Sequence, residues 1–423
     1  MSRLCCGFLS LAVCVYAAPL AAAADASHKQ SRTIDVPGHD GSSLQTFTLL
    51  PDGKVAALVA SGGSHGEPGE VKAAPASEVH VFDAAGEPAE VWKIDFAAQS
   101  IAAGPDGNVF VGGDGRLVKL DGTGHELSRI ELPHLKEAIA DTEKLRERAT
   151  ALQKQYEESQ AQFAAQFDEQ KKEIQEKLDE LKAKEESELT AAEKRRMQRF
   201  EVQLREFETV RVRIQVPSVD DLMKQLTDRL RLINGVTVTD QDVFVVTGES
   251  TGFGYSVWRM DHAFQGSKQV LSELRGCCGQ MDVRASGNEL FVAENCSHRV
   301  GRYTRDGEKI KDIGERSERR NSGAIGLDVG DAEDSGFGGC CNPMNLCVGK
   351  DGLIYTAESE GIIRCFSSGG EYRGLVGSTT LSGGCKNVAV AVSSDGNTVY
   401  FCDKPGQRII VLSRNDAVAE KTE

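Results

Sequence analysis

Asp351-Gly352-Leu353-Ile354-Tyr355-Thr356-Ala357-Glu358 is the stretch that decides the fold. An Asp-Gly pair running straight into a short apolar segment signals a tight hairpin turn feeding a strand, because the glycine supplies the positive φ that such turns need. The unit recurs. Asp52-Gly53, Asp106-Gly107, Asp240-Gln241, Ser286-Gly287 and Asp395-Gly396 stand in the same setting. The strands after them are alike: Val55-Ala56-Ala57-Leu58, Val109-Phe110-Val111, Val243-Phe244-Val245-Val246, Leu290-Phe291-Val292 and Val399-Tyr400-Phe401. A second hairpin follows at a similar offset in Phe82-Asp83-Ala84-Ala85-Gly86, Leu120-Asp121-Gly122 and Tyr303-Thr304-Arg305-Asp306-Gly307. Two hairpins make four strands, which is one blade of a β-propeller.

Six turn signals predict six blades. Outside the first 24 residues and the segment 134–232, about 300 residues remain, or roughly 50 for each signal, as expected of such repeats. The last repeat ends at Ile409-Ile410-Val411-Leu412 with no room for a fourth strand. A strand near Thr33-Ile34-Asp35-Val36 is expected to fill that place, so that the two ends of the chain close the ring and leave no sheet edge open. The fold class expected is mainly β: a six-bladed propeller with an α-helical coiled-coil hairpin inserted between blades 2 and 3. The expected boundaries are 25–133 for blades 1 and 2, 134–208 for the insertion and 209–423 for blades 3 to 6.

The insertion is set off by composition, since no Gly occurs between His125 and Asn234. From Leu135 to about Glu186 nearly every residue is a good helix former. Leu145, Ala149, Leu152, Tyr156, Phe163, Phe167, Ile174, Leu178 and Leu181 recur mostly at three- and four-residue steps. A narrow apolar stripe on a Lys/Glu/Gln background predicts one helix about 75 Å long at 1.5 Å per residue, paired in a hairpin. Thr190 with Glu193 reads as a capping box opening a second helix that carries Met197, Phe200, Leu204 and Phe207. The alternation of Val210, Val212, Ile214 and Val216 predicts a strand, and Ser218 with Asp221 caps a further short helix through Leu232.

Whole-chain totals exclude several classes. A net charge of -15 opposes tight binding to nucleic acid, and 40% hydrophobic residues are too many for wholesale disorder. Met1 to Arg3, the apolar run Leu4 to Ala18 and Ala22-Ala23-Ala24 read as a secretory signal peptide over 1–24. The mature chain is expected to be exported, periplasmic or extracellular, with no transmembrane span.

The order Asn342-Pro343-Met344-Asn345-Leu346-Cys347-Val348, then Asp351-Gly352 and its strand with Glu358, then Ile362-Ile363-Arg364-Cys365-Phe366 resembles the NHL-repeat family of six-bladed propellers. Glu294 and Asp403 match the acidic position in the flanking repeats, and Arg302 and Arg408 supply basic residues in the following strands. The resemblance covers about 277–415. It implies a propeller. It leaves the activity open, since the family includes binding scaffolds and related propellers include lyases and lactonases.

Cysteine is the other anomaly. Of 12 cysteines, three lie in the first segment, and the remaining nine all fall after residue 276, in the last three blades. Gly276-Cys277-Cys278-Gly279-Gln280-Met281 aligns with Gly339-Cys340-Cys341-Asn342-Pro343-Met344, and Gly384-Cys385 falls at the same point of the third repeat. This point precedes the innermost strand, where neighbouring blades approach one another, so disulfides between blades are expected in an oxidising compartment. The alternative is a soft-metal site, with Cys277, Cys278, Met281, Cys340, Cys341, Met344 and Cys385 as candidate ligands for a metal such as copper. Cys347, Cys365 and Cys402 lie within strands and read as buried structural thiols.

Catalytic constellations are thin. Asp282, Asn345 and Glu358 are the channel-mouth candidates for a divalent-cation lactonase or a lyase. His298 reads as a solvated loop residue. The reading preferred from the sequence is an exported binding scaffold without a cofactor, whose residues 134–208 serve self-association or capture of a protein partner. The alternatives are a propeller enzyme and a Cys/Met metal-binding or redox protein.

Overall fold

The computed structural model describes residues 26–38, 42–61, 77–185, 187–210, 216–249, 254–277, 279–317, 335–339, 341–382 and 387–415. The chain forms two compact units. One comprises the strand-rich segments, and the other comprises Glu131–Leu232 with Gly248 and Glu249.

The first unit is built from six four-stranded antiparallel sheets. Blade 1 holds Ser42–Leu49, Val55–Ser61, Ser77–Phe82 and Pro88–Ile94. Blade 2 holds Ser100–Ala103, Val109–Gly113, Arg116–Leu120 and Glu126–Glu131. Blade 3 follows the helical segment with Ile233–Val238, Asp242–Gly248, Gly254–Asp261 and Lys268–Arg275. Blade 4 has Val283–Ser286, Glu289–Glu294, Arg299–Thr304 and Lys309–Ile313. Blade 5 has Asn345–Val348, Ile354–Ala357, Ile362–Phe366 and Tyr372–Ser378. Blade 6 takes Val388–Val392, Thr398–Asp403 and Arg408–Arg414 from the end of the chain and His28–Asp35 from its start.

The first strands of the blades neighbour one another in the order 1-2-3-4-5-6 and back to 1, which closes a six-bladed ring. The expected closing strand is present and longer than its apolar core suggested. It pairs antiparallel with the last strand of the chain, from His28 opposite Arg414 to Asp35 opposite Arg408. Gln407, in the turn of that blade, accepts the Leu44 N–H at 2.8 Å and so joins blade 6 to blade 1.

Burial explains the composition of each strand. Second strands such as Val55–Ser61 and Asp242–Gly248 lie inside their sheets with neighbouring blades on both faces, and their residues are buried almost without interruption. Both faces must therefore be apolar. Fourth strands such as Pro88–Ile94 and Lys309–Ile313 are the blade edges, and they expose Glu90, Lys93, Lys309 and Lys311 to water. Charge on an exposed edge discourages further strand addition.

The helical unit has four helices where the sequence suggested three. α1 is Pro133–Ala140 and α2 is Thr142–Lys182. The expected single first helix is broken at Asp141, whose carboxylate accepts the Lys144 N–H at 3.1 Å and caps α2. The 41 residues of α2 span about 60 Å rather than 75. α3, Ala191–Val210, starts at the expected box: Thr190 Oγ1 accepts from the Glu193 N–H at 3.3 Å, and Glu193 Oε2 accepts from the Thr190 N–H at 2.9 Å. Lys182 meets Glu201 at 3.0 Å and Lys184 meets Glu193 at 2.6 Å, pairing α3 antiparallel with the end of α2. Val210 ends α3 and does not open a strand; residues 211–215 of the expected strand lie outside the described residues. α4, Val219–Leu230, is capped by Ser218 and buries Leu222, Leu226 and Leu230 on one stripe beside α2. No helix among the described residues is long and apolar enough to cross a membrane.

Candidate functional site

Polar side chains at the innermost strands form a repeating set of latches. Thr48 of blade 1 accepts the Ala103 N–H of blade 2 at 3.3 Å, and Thr237 of blade 3 accepts the Ala285 N–H of blade 4 at 3.0 Å. Asp282 of blade 4 accepts the Leu346 N–H of blade 5 at 3.0 Å, and Asn345 of blade 5 accepts the Val390 N–H of blade 6 at 2.9 Å. Each bond satisfies a buried or half-buried backbone donor at the inner edge of the next blade. Two of the three channel-mouth candidates are therefore held by backbone groups of the next blade. Asp282 is also 3.3 Å from Arg284, whose guanidinium donates to the Leu346 carbonyl at 3.0 Å. Burial still dominates and pushes the Asp282 carboxyl above its ordinary range.

The third candidate, Glu358, belongs to another repeating device. It ion-pairs with Arg364, and its carboxylate also accepts from the Gly338 N–H at 3.3 Å. The corresponding pairs are Glu294–Arg299 at 2.6 Å in blade 4 and Asp403–Arg408 at 3.0 Å in blade 6. In those two blades acid and arginine face each other across the hairpin joining the second and third strands. In blade 5 the arginine stands two residues further along the third strand, on the same face, and is wholly buried. Arg302, the basic residue matched to the repeat in the third strand of blade 4, pairs with Glu289 at 2.5 Å.

The cysteine-bearing loop before blade 4 is bonded to two other blades. Asn234 of blade 3 donates to the Gly279 carbonyl at 3.1 Å, and Gln280 donates to the Val388 carbonyl of blade 6 at 2.8 Å. Asn295, wholly buried just past the second strand of blade 4, ties the loop from within. It accepts the Cys277 N–H at 2.8 Å, and its amide donates to the carbonyls of Cys277 and Gln280 at 3.4 and 3.3 Å. Cys277 and Cys341, from the loops opening blades 4 and 5, bring their Sγ atoms to 2.8 Å. Cys296 follows Asn295 in a short 3₁₀ turn and is exposed. Burial raises its thiol pKa first, and the neighbouring Cys277 thiol raises it further.

Of the candidate sulfur ligands, Cys277 and Cys341 are brought together. Met344 joins them, packed in one core with Cys341, Val376 and Val388, whereas Met281 does not and packs among Phe244, Tyr255 and Val283. Both methionines take the apolar position of the repeat and fill separate cores. Cys278, Cys340 and Cys385 lie outside the described residues. Among the described residues, no group of three or more His, Cys, Asp or Glu side chains is arranged to hold a metal ion. Cys347, Cys365 and Cys402 are buried strand residues, with burial pushing Cys365 and Cys402 up to about 12. His298, expected in solvent, is buried in a left-handed backbone conformation with φ 53°, and burial lowers its pKa. Nothing in the sequence pointed to the roles of Asn295 and Gln280. Both are single amides in loops, and only the fold shows what they bridge.

No protein-family profile matches the chain, and no curated protein does. Solved structures similar to it include the WD40 domain of Neurospora crassa Pan2, at 8% identity over 92% of this chain and 96% of that one, with a TM-score of 0.43. The WD40 β-propeller domain of Doa1 matches at 10% identity over 92% and 98%, with a TM-score of 0.39. XC5397 of Xanthomonas campestris, a gluconolactonase, matches at 9% over 92% and 99%, with a TM-score of 0.42. Similarity this remote carries nothing about activity, and the fold rests on the six sheets and the closed order of their inner strands.

Proposed function

We propose that the protein is an exported binding scaffold in which the helical unit engages a protein partner or a second copy of the chain. The observation that carries this reading is the surface of α2 and α3, where Tyr156, Phe163 and Val202 stand exposed among charged residues. Ion pairs Lys154–Glu158, Lys172–Glu176 and Glu173–Lys177 line α2 at i,i+4 spacing and support a long helix without a core around it. The catalytic reading has less support, because Asp282, Asn345 and Glu358 are each committed to a bond that holds blades or strands together. The test is light scattering and chemical crosslinking of the full mature chain beside a variant lacking residues 156–208, which keeps α1, the start of α2 and α4. A larger mass or a recovered partner that disappears with the deletion supports the reading. Unchanged mass and unchanged partner recovery refute it. Stoichiometric divalent metal in the purified protein would redirect attention to a propeller enzyme.

A further inference from the structure

We propose that Cys277 and Cys341 form a disulfide joining blades 4 and 5, and that Cys296 is the thiol through which this bond is opened by exchange. Three observations carry the pairing. The two sulfurs already lie 2.8 Å apart, although 64 positions separate the residues in the chain. Cys277 is fixed by the bonds that Asn295 makes to its N–H and its carbonyl. Cys341 is buried in the core shared by blades 5 and 6, so its position is set by packing. Neither thiol has to move far.

The third cysteine gives the pair a route to solvent. Cys296 is exposed and lies beside Cys277 on the residue next to Asn295, whereas Cys341 is buried. Bond formation needs an oxidant, and a disulfide, that of oxidised glutathione or of a thiol–disulfide oxidoreductase, supplies it. The Cys277 and Cys341 thiols lose two protons and two electrons, one S–S bond forms between them, and the disulfide reagent is reduced to two thiols. In the exchange step, the Cys296 thiolate attacks the Cys277 sulfur. A Cys296–Cys277 bond forms, the Cys277–Cys341 bond breaks, and Cys341 leaves as a thiolate that takes up a proton. The step is an isomerisation and consumes no further oxidant.

The inference is independent of the scaffold reading and of export, because a redox buffer sets the oxidation state in vitro. The purified mature chain is equilibrated with reduced and oxidised glutathione, quenched in acid, alkylated and digested with trypsin. Cleavage after Arg275, Arg284 and Arg299 puts Cys277 and Cys296 on different peptides, and Cys341 lies on a third. In the oxidised wild type, a crosslink between the Cys277 and Cys341 peptides is expected, with Cys296 alkylated. The crosslink is expected to persist in Cys278→Ser and Cys340→Ser and to be lost in Cys277→Ser. In Cys341→Ser, a Cys277–Cys296 crosslink is expected in its place. Full alkylation of the wild type under oxidising conditions, or a crosslink lost in Cys278→Ser but kept in Cys277→Ser, overturns the pairing. Alkylated Cys277 and Cys296 in oxidised Cys341→Ser overturns the exchange role.

Discussion

Truncating the arginine of the acid–arginine device costs stability according to its burial, and three blades carry the device at different depths. In blade 5, Arg364 is 2% exposed and Glu358 0%. Arg364→Ala strands a carboxylate in the interior without its guanidinium, a change that typically costs about 3–5 kcal/mol. In blade 6, Arg408 is 32% exposed, and Asp403, although buried, keeps the N–H and hydroxyl of Ser382 and the N–H of Gly406 as donors. Arg408→Ala is expected to cost about 1 kcal/mol. Arg299 of blade 4, 35% exposed, leaves Glu294 bonded to the Tyr303 hydroxyl at 2.5 Å and falls in the same low range. With a urea slope of about 3 kcal/mol/M for a unit of this size, Arg364→Ala moves the midpoint by about 1–1.7 M and the other two by about 0.3 M. Far-UV circular dichroism and the fluorescence of Trp92 and Trp258 read the transition, and their coincidence checks that one step is being followed. The double variant Glu358→Leu/Arg364→Met removes both charges and is expected to recover most of the loss. If Arg364→Ala does not accumulate folded, Arg364→Lys gives a smaller loss on the same scale. Equal midpoint shifts for all three arginines would refute the burial argument.

Three further predictions follow from titration and from the latches. The Asp282 carboxyl has its folded pKa raised above the ordinary 3.8, so the advantage of its neutral form is complete below 3.8 and is lost as pH rises through the folded value. Asp282→Asn should therefore flatten that decline while its amide oxygen still accepts from Leu346; melting temperatures between pH 3.5 and 7 read the difference, and parallel curves count against it. Asn345→Ala leaves the Val390 N–H unbonded and is expected to cost about 1–3 kcal/mol, with Asn345→Asp costing less; equal losses would mean that the bond is not the cause. In the helical unit, burial lowers His134 from 6.5 to about 4. The folded state then binds fewer protons than the unfolded one, and stability falls as pH drops from 6.5 to about 4 and levels off below that. His134→Gln should remove that slope in the helical signal at 222 nm, and an unchanged slope would assign it to other groups.

Much of the fold was legible in short stretches of sequence. Turn chemistry is local: Asp351-Gly352 and its counterparts name hairpins without reference to anything distant, and Gly352 duly takes φ 77°. Strand length and the absence of a fourth partner for Arg408–Arg414 also pointed to the closing strand at the other end of the chain. Capping at Thr190 and Ser218 was readable for the same reason, since each box spans only four residues. The break at Asp141 was missed because the residues around it are all good helix formers, and only the bond to Lys144 distinguishes a cap from an interior Asp.

The candidate site was less legible. Repeat alignment placed Cys277 and Cys341 at equivalent points before the inner strands of neighbouring blades, and the fold does bring them together. The same alignment grouped Met281 and Met344 with them; Met344 does share the core of Cys341, whereas Met281 turns into a different one. Asp282, Asn345 and Glu358 looked like a catalytic set because the sequence shows charge and amide but not the donor opposite. The sequence by itself determined the number of blades, the closing strand and the place of the helical segment, because these follow from local turns, two-residue alternation and helix propensity. Tertiary structure alone decided that Asp282 and Asn345 latch the next blade, that Asn295 holds Cys277 and that Arg364 is buried. The latches depend on which groups of adjacent blades face one another, the other two on how a loop and a hairpin fold back within one blade, and none of these contacts exists before the chain is folded.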